Sequence, residues 1–137
     1  EGITAWEMAS GRLTRSVGFI RDGNLGSSPD AVVGDGDQFE LVLEEKSPSP
    51  RVHLSYVQGG IVPAEYHYQT LMHCLVCGCP VEFVSFNGSF PPALRLFRVR
   101  VDPSPEELGA FRDAVLAFDA EIDAQVEALR QLAKERV

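Results

Sequence analysis

The chain has 137 residues, 45% of them hydrophobic and 23% charged, which suits one globular domain spanning 1–137 with a real core. No apolar run reaches the roughly 18 residues that a membrane helix needs, and three cysteines within six positions (Cys74, Cys77, Cys79) make no disulfide framework but fit a reducing compartment. The net charge of -8 weighs against indiscriminate binding of nucleic acid, although residues 102–137 carry -5 of it and the rest of the chain only -3.

The chain begins at Glu1 rather than Met, so further residues are expected upstream. Residues 1–13 read as the end of a helix, with Ile3, Trp6 and Met8 among small and polar residues and Gly11 at its exit. Residues 16–21 read as a short strand, and Asp22-Gly23-Asn24 as a turn. Two strands follow, 31–34 and 38–45, joined by Gly34-Asp35-Gly36-Asp37 as a hairpin. In the second, Phe39, Leu41 and Leu43 alternate with Glu40, Val42 and Glu44, a period of two that gives the apolar set one face. Ser47-Pro48-Ser49-Pro50 breaks this strand, and a short helix over 51–57 ends at Gly59-Gly60. Pro63 opens a second helix that runs to about Cys77 and stops at Gly78. Strands are predicted at 81–86, turned by Asn87-Gly88, and at 94–101.

The last element carries the clearest signal. Acids in Asp102-Pro103-Ser104-Pro105-Glu106-Glu107 mark a helix N-terminus. Leu108, Phe111, Val115, Phe118, Ile122, Val126, Leu129 and Ala133 then recur at steps of three and four. This is one apolar stripe, expected to pack on the sheet, with a partner-binding helix as the alternative. The whole order implies an α/β fold, a mixed central sheet flanked by helices and closed by a long C-terminal helix.

The chemistry centres on Asp30 and on Glu44-Glu45-Lys46. Alternate side chains of a strand share a face, so Glu44 and Lys46 point together and Glu45 points away. If the two strands pair, Asp30 approaches Glu44. Two carboxylates brought together repel, and a hard divalent cation relieves them. A lysine beside them orients or activates a water, or stabilises developing negative charge. The spacing alone is weak, since Pro-Asp is common in turns and Glu-Glu-Lys at solvated strand ends.

Further residues sharpen the pattern. Ser28-Pro29-Asp30, a hydrophobic strand ending Leu43-Glu44-Glu45-Lys46-Ser47-Pro48, then Tyr66-His67-Tyr68-Gln69 and an apolar run into the strand at 81–86 arrive in that order. The combination resembles the phage lambda-type exonuclease (YqaJ viral recombinase) family, a branch of the PD-(D/E)XK nucleases, from about residue 7 to 132. The resemblance implies a nuclease core with Asp30 and Glu44 as metal ligands, joined by the Glu45 backbone carbonyl. It makes Lys46 the catalytic lysine, with Gln69 placing the water or scissile phosphate and Tyr66 supporting it from the same helix face. The family has a further glutamate on its first core helix; Glu1 is the candidate here, although its five-residue spacing to Trp6 is short, and Glu7 is the other.

By the same resemblance the cofactor is Mg2+, with Mn2+ a substitute. The activity implied is exonucleolytic hydrolysis from the ends of linear double-stranded DNA, 5′ to 3′, releasing 5′-mononucleotides. The setting implied is phage-type recombination in the cytoplasm of a bacterial host, with a single-strand annealing protein as partner and a homotrimeric ring as the assembly. Two alternatives stand beside it: a non-catalytic module of the same fold that holds a protein partner on its C-terminal helix, and an endonuclease on the same core.

Other features carry less. Cys74, Cys77 and Cys79 with His67 and His73 lack the second pair of the familiar zinc spacings. A cysteine nucleophile with His53, His67 or His73 has no recognisable signature. Gly23-Asn24-Leu25-Gly26 is too short for a phosphate-binding loop. Arg95, Arg98 and Arg100 fit either a DNA path or a solvated strand face.

Overall fold

The computed structural model describes residues 1–136. Glu1–Pro103 forms one compact unit, and the chain from Ser104 onward forms a second.

In the first unit α1 spans Gly2–Ser10 and ends where Gly11 takes the left-handed conformation (φ 70°), as its position after the last helical turn predicts. Glu7 Oε1 accepts hydrogen bonds from Thr14 N (2.8 Å) and Oγ1 (2.7 Å), so this carboxylate ties down the chain leaving the helix. The strand expected at 16–21 is shorter and later. It is β1, Ile20–Asp22, and it pairs antiparallel with β2, Leu25–Ser27, across the Gly23-Asn24 turn.

The main sheet has four strands in the order β3-β4-β5-β6: Ala31–Val33, Leu41–Lys46, Val81–Phe86 and Leu96–Val101. β3 and β6 run antiparallel to their neighbours, and β4 and β5 run parallel to each other. That parallel pair requires a crossover. The chain makes it through α2 (Pro50–Gly59), a 3-10 turn at Ala64–Tyr66 and α3 (His67–Cys77), which ends at left-handed Gly78.

The crossover corrects the half-buried reading of the second strand. Leu41, Val42, Leu43 and Glu44 are all buried, so β4 is covered on both faces. On one face Leu41 and Leu43 join Trp6, Ala31, Val33 and Val84 in a cluster under α1. On the other lie Val42, Glu44 and Lys46, in register with Val81, Phe83 and Ser85 of β5. A buried strand flanked by helices on both sides is what a parallel pairing with a helical crossover produces.

The second unit is α4, Pro105–Glu135, 31 residues long. Its start is as expected: Ser104 Oγ accepts from Glu107 N (3.1 Å), Pro105 opens the first turn, and Glu106 and Glu107 lie in it. No residue of α4 is buried. Leu108, Phe111 and Val115 are half-buried, whereas Phe118, Ile122, Val126 and Leu129 are exposed. The periodicity identifies the apolar stripe of this helix but not what covers it. Among the described residues no helix is long and apolar enough to cross a membrane.

Candidate active site

The antiparallel register of β3 and β4 sets Ala31 opposite Leu43, so Asp30 stands one step further, beside Glu44 and Glu45. Its own amide donates to the Leu43 carbonyl (3.2 Å), and its Oδ2 accepts from the Glu45 amide (2.7 Å). Asp30 is thus fixed by backbone on both sides while keeping an exposed edge. Desolvation first, and the charge of Glu44 next among the raising influences, push its carboxyl above the ordinary aspartate range, against the downward pull of the Glu45 amide. This is the paired-carboxylate situation expected from the sequence.

Glu44 is 2% exposed and is held by three donors. Lys46 Nζ and Gln69 Nε2 (2.8 Å) both reach Oε1, and His73 Nε2 reaches Oε2 (2.8 Å). Burial is the largest single influence on this carboxyl and raises its pKa. The hydrogen bonds from His73 and Lys46, with the Lys46 charge, outweigh it, so the pKa ends below the usual glutamate value. Lys46 shows the mirror case. Partial burial lowers its pKa most, but the bond and charge of Glu44, then Asp30, carry it above the usual lysine value. Glu44 and Asp30 together thus favour the charged form of Lys46.

Tyr66 forms the floor of the site. Its ring lies 4.9 Å from Lys46 Nζ, and it stacks on Phe83 of β5 at 5.3 Å. Tyr56 abuts both rings edge-on and donates its hydroxyl to Glu65 (2.9 Å). Tyr66 sits in the 3-10 turn and Gln69 in the first turn of α3, so the turn and helix deliver both to the same end of β4.

The site thus assembles Asp30, Glu44, Lys46, Gln69 and Tyr66 on one face of the sheet. Glu1 makes no side-chain hydrogen bond to this group. That residue is exposed and caps α1 without a side-chain hydrogen bond. The start of α1 packs on the Glu45 side chain, which a Cβ at Gly2 would collide with, and Glu45 points away from Glu44. Glu7, the other candidate, is committed to Thr14. Among the described residues no three His, Cys, Asp or Glu side chains converge on a metal position. The acidic groups that do meet here are the two carboxylates of Asp30 and Glu44.

His73 is the residue that the sequence reading missed. The sequence offers it only as a zinc or thiol partner, yet it lies four positions after Gln69, one helical turn along the same face. The arginines are also resolved. Arg100 is paired in register with Glu82, on the face opposite Glu44 and Lys46. Arg98 engages Glu82 (3.4 Å), Arg100 engages Asp102 (3.4 Å), and Arg95 donates to the Phe90 carbonyl (2.7 Å). They belong to the back of the sheet, not to the carboxylate face. Burial pushes the Cys74 thiol up to about 11 and that of Cys79 up to about 12, which argues against thiolate chemistry.

Against solved structures the chain superposes on an alkaline exonuclease (LHK-Exo) from Laribacter hongkongensis with a TM-score of 0.87 and 25% identity, covering 98% of this chain and 69% of that one. The chain's fold is that of the lambda-type exonucleases. The same enzyme in complex with dAMP gives a TM-score of 0.86 at 25% identity. A phage-related exonuclease from Haemophilus somnus 129PT gives 0.64 at 12% identity, covering 93% of this chain and 68% of that one, a likeness of fold alone. No protein-family model and no curated protein matches the sequence. The exonuclease neighbours support nuclease activity for this lambda-type fold.

Proposed function

We propose that the chain is a divalent-metal-dependent exonuclease that hydrolyses phosphodiester bonds at the ends of linear double-stranded DNA. The observation that carries this reading is the convergence of Asp30, Glu44, Lys46 and Gln69 at the end of β4 in a lambda-type fold. Asp30, Glu44 and the Glu45 carbonyl would hold Mg2+, or Mn2+ in its place. When bound, such an ion would neutralise the carboxylate pair and supply electrophilic stabilisation to the phosphate.

The remaining roles belong to the chain's own groups. Lys46 presents its ammonium to the non-bridging phosphate oxygens, where charge grows as water attacks phosphorus. Gln69 spends its amide N–H on Glu44 and keeps its amide oxygen for the attacking water. Tyr66 holds Lys46 from below, which restricts where that charge can sit. The leaving group is the 3′ oxygen, so the product is a 5′-mononucleotide. Polarity from 5′ to 3′, a recombination setting with a single-strand annealing partner, and a homotrimer belong to the same proposal on the strength of the family resemblance.

The test is nucleotide release from an end-labelled linear duplex with Mg2+, beside Lys46→Ala, a chelator control and a closed circular duplex. Release that requires metal, Lys46 and an open end is expected. Cleavage of the circle would instead indicate an endonuclease. No release by the folded, metal-loaded chain would favour the binding-module alternative, to which the exposed stripe of α4 lends its one specific support.

A further inference from the structure

Three buried polar side chains form a line behind the site. Ser27 at the end of β2, His73 on α3 and Glu44 on β4 are each no more than 3% exposed. Ser27 Oγ lies 2.6 Å from His73 Nδ1, and His73 Nε2 lies 2.8 Å from Glu44 Oε2. A carboxylate accepts only, so Nε2 carries the proton of that bond whatever the charge of the ring. Its partner Ser27 fixes the ring plane from the far side.

The geometry also separates the two oxygens of Glu44. Oε1 receives both Lys46 and Gln69, whereas Oε2 receives His73 alone. An ionised carboxylate offers about four lone-pair positions, two on each oxygen. Oε1 is therefore filled, and the one position left over is on Oε2, the atom that His73 holds. We infer that His73, anchored by Ser27, is a positioning residue that sets the orientation of Glu44 Oε2, the oxygen that would take a divalent ion. The inference rests on the proposed metal-dependent reading and deepens it. It also gives the β1–β2 hairpin a purpose: the hairpin delivers Ser27 to α3. Purely apolar packing there would avoid the cost of burying three polar groups.

The test compares His73→Leu, which fills the space without a donor, with His73→Gln, which restores an N–H near the position of Nε2, and Ser27→Ala. Mn2+ affinity is measured by calorimetry without DNA, alongside thermal melting. Loss of a side chain that orients a metal ligand weakens binding by about 10- to 100-fold. His73→Leu should fall in that range, His73→Gln should stay within about threefold of wild type, and Ser27→Ala should weaken binding less than His73→Leu, by the same logic. Both His73 variants lose the native ring packing, so a merely structural role would lower their melting temperatures together and would not separate their Mn2+ affinities. Unchanged affinity in His73→Leu, or equal weakening in the Leu and Gln variants, would overturn the inference. Should His73→Leu fail to fold, unchanged affinity in Ser27→Ala would do so. Absence of Mn2+ binding by the wild-type chain would overturn the metal-dependent reading itself, and this inference with it.

Discussion

Replacing Glu44 by glutamine removes one charge and almost no volume from a side chain that is 2% exposed. Its new amide oxygen can take the Oε1 position and keep both Lys46 and Gln69. The new NH2 then faces His73 Nε2, which must become the acceptor, with Nδ1–H turned to Ser27 Oγ. All three hydrogen bonds survive, but those from Gln69 and His73 become neutral, and the one from Lys46 keeps its charged donor while losing its ion pair. That change is worth about 1 kcal/mol per bond, or about 3 kcal/mol in all. Relief from burying a carboxylate offsets part of it, leaving a net loss of about 1–2 kcal/mol and a Tm drop of about 3–10 °C. The effect on function should be far larger, at least ~100-fold in nucleotide release, because a charge next to the reacting phosphate has no substitute. Metal linkage separates the two effects. Mn2+ at a hundred times its Kd should stabilise the wild type by about 2.7 kcal/mol, and Glu44→Gln should show little of that shift. Thermal melts with and without Mn2+, read beside the end-labelled duplex assay, measure both. A variant that cleaves within about tenfold of wild type, or melts with the same Mn2+ shift, would refute the assignment of Glu44.

Four further outcomes follow from the same fold. Gly34 has φ of 126°, and a Cβ there would collide with the Gln38 carbonyl, so Gly34→Ala should cost at least ~1–3 kcal/mol in urea unfolding. Gly59, in α2 with open space around it, should tolerate alanine or gain about 0.5–1 kcal/mol. Glu7 should titrate by NMR below its ordinary value of 4.5, because Thr14 donates twice to its charged form; the stability it contributes is present above that pH and is lost as pH falls through the lower folded value, and Thr14→Val should return the titration toward 4.5. At pH 8 the Cys74 thiol, with its pKa near 11, should react with iodoacetamide about a hundredfold more slowly in the folded chain than in urea, and equal rates would contradict its burial.

How far the sequence reaches can be judged at particular residues. The helix ends at Gly11, Gly60 and Gly78 follow from local chemistry, since a left-handed residue after the last turn is cheap only for glycine. The N-terminus of α4, the break after Lys46 and the alternation that puts Glu44 and Lys46 on one face are equally local. The β1–β2 hairpin is only half legible, because Leu25–Ser27 is three residues long and offers no period to read. By itself, then, the sequence determined most of the elements, their order and which candidate side chains share a strand face. Only the tertiary structure decided which of these meet. It turned β4 into a strand buried on both faces, sent the arginines to the back of the sheet and joined His73 to Glu44. These outcomes depend on strand order and on which face each helix covers, and those are set by contacts between residues distant in sequence, such as Glu44 with Gln69 (25 positions apart) and Ser27 with His73 (46 apart), beyond the reach of any local pattern.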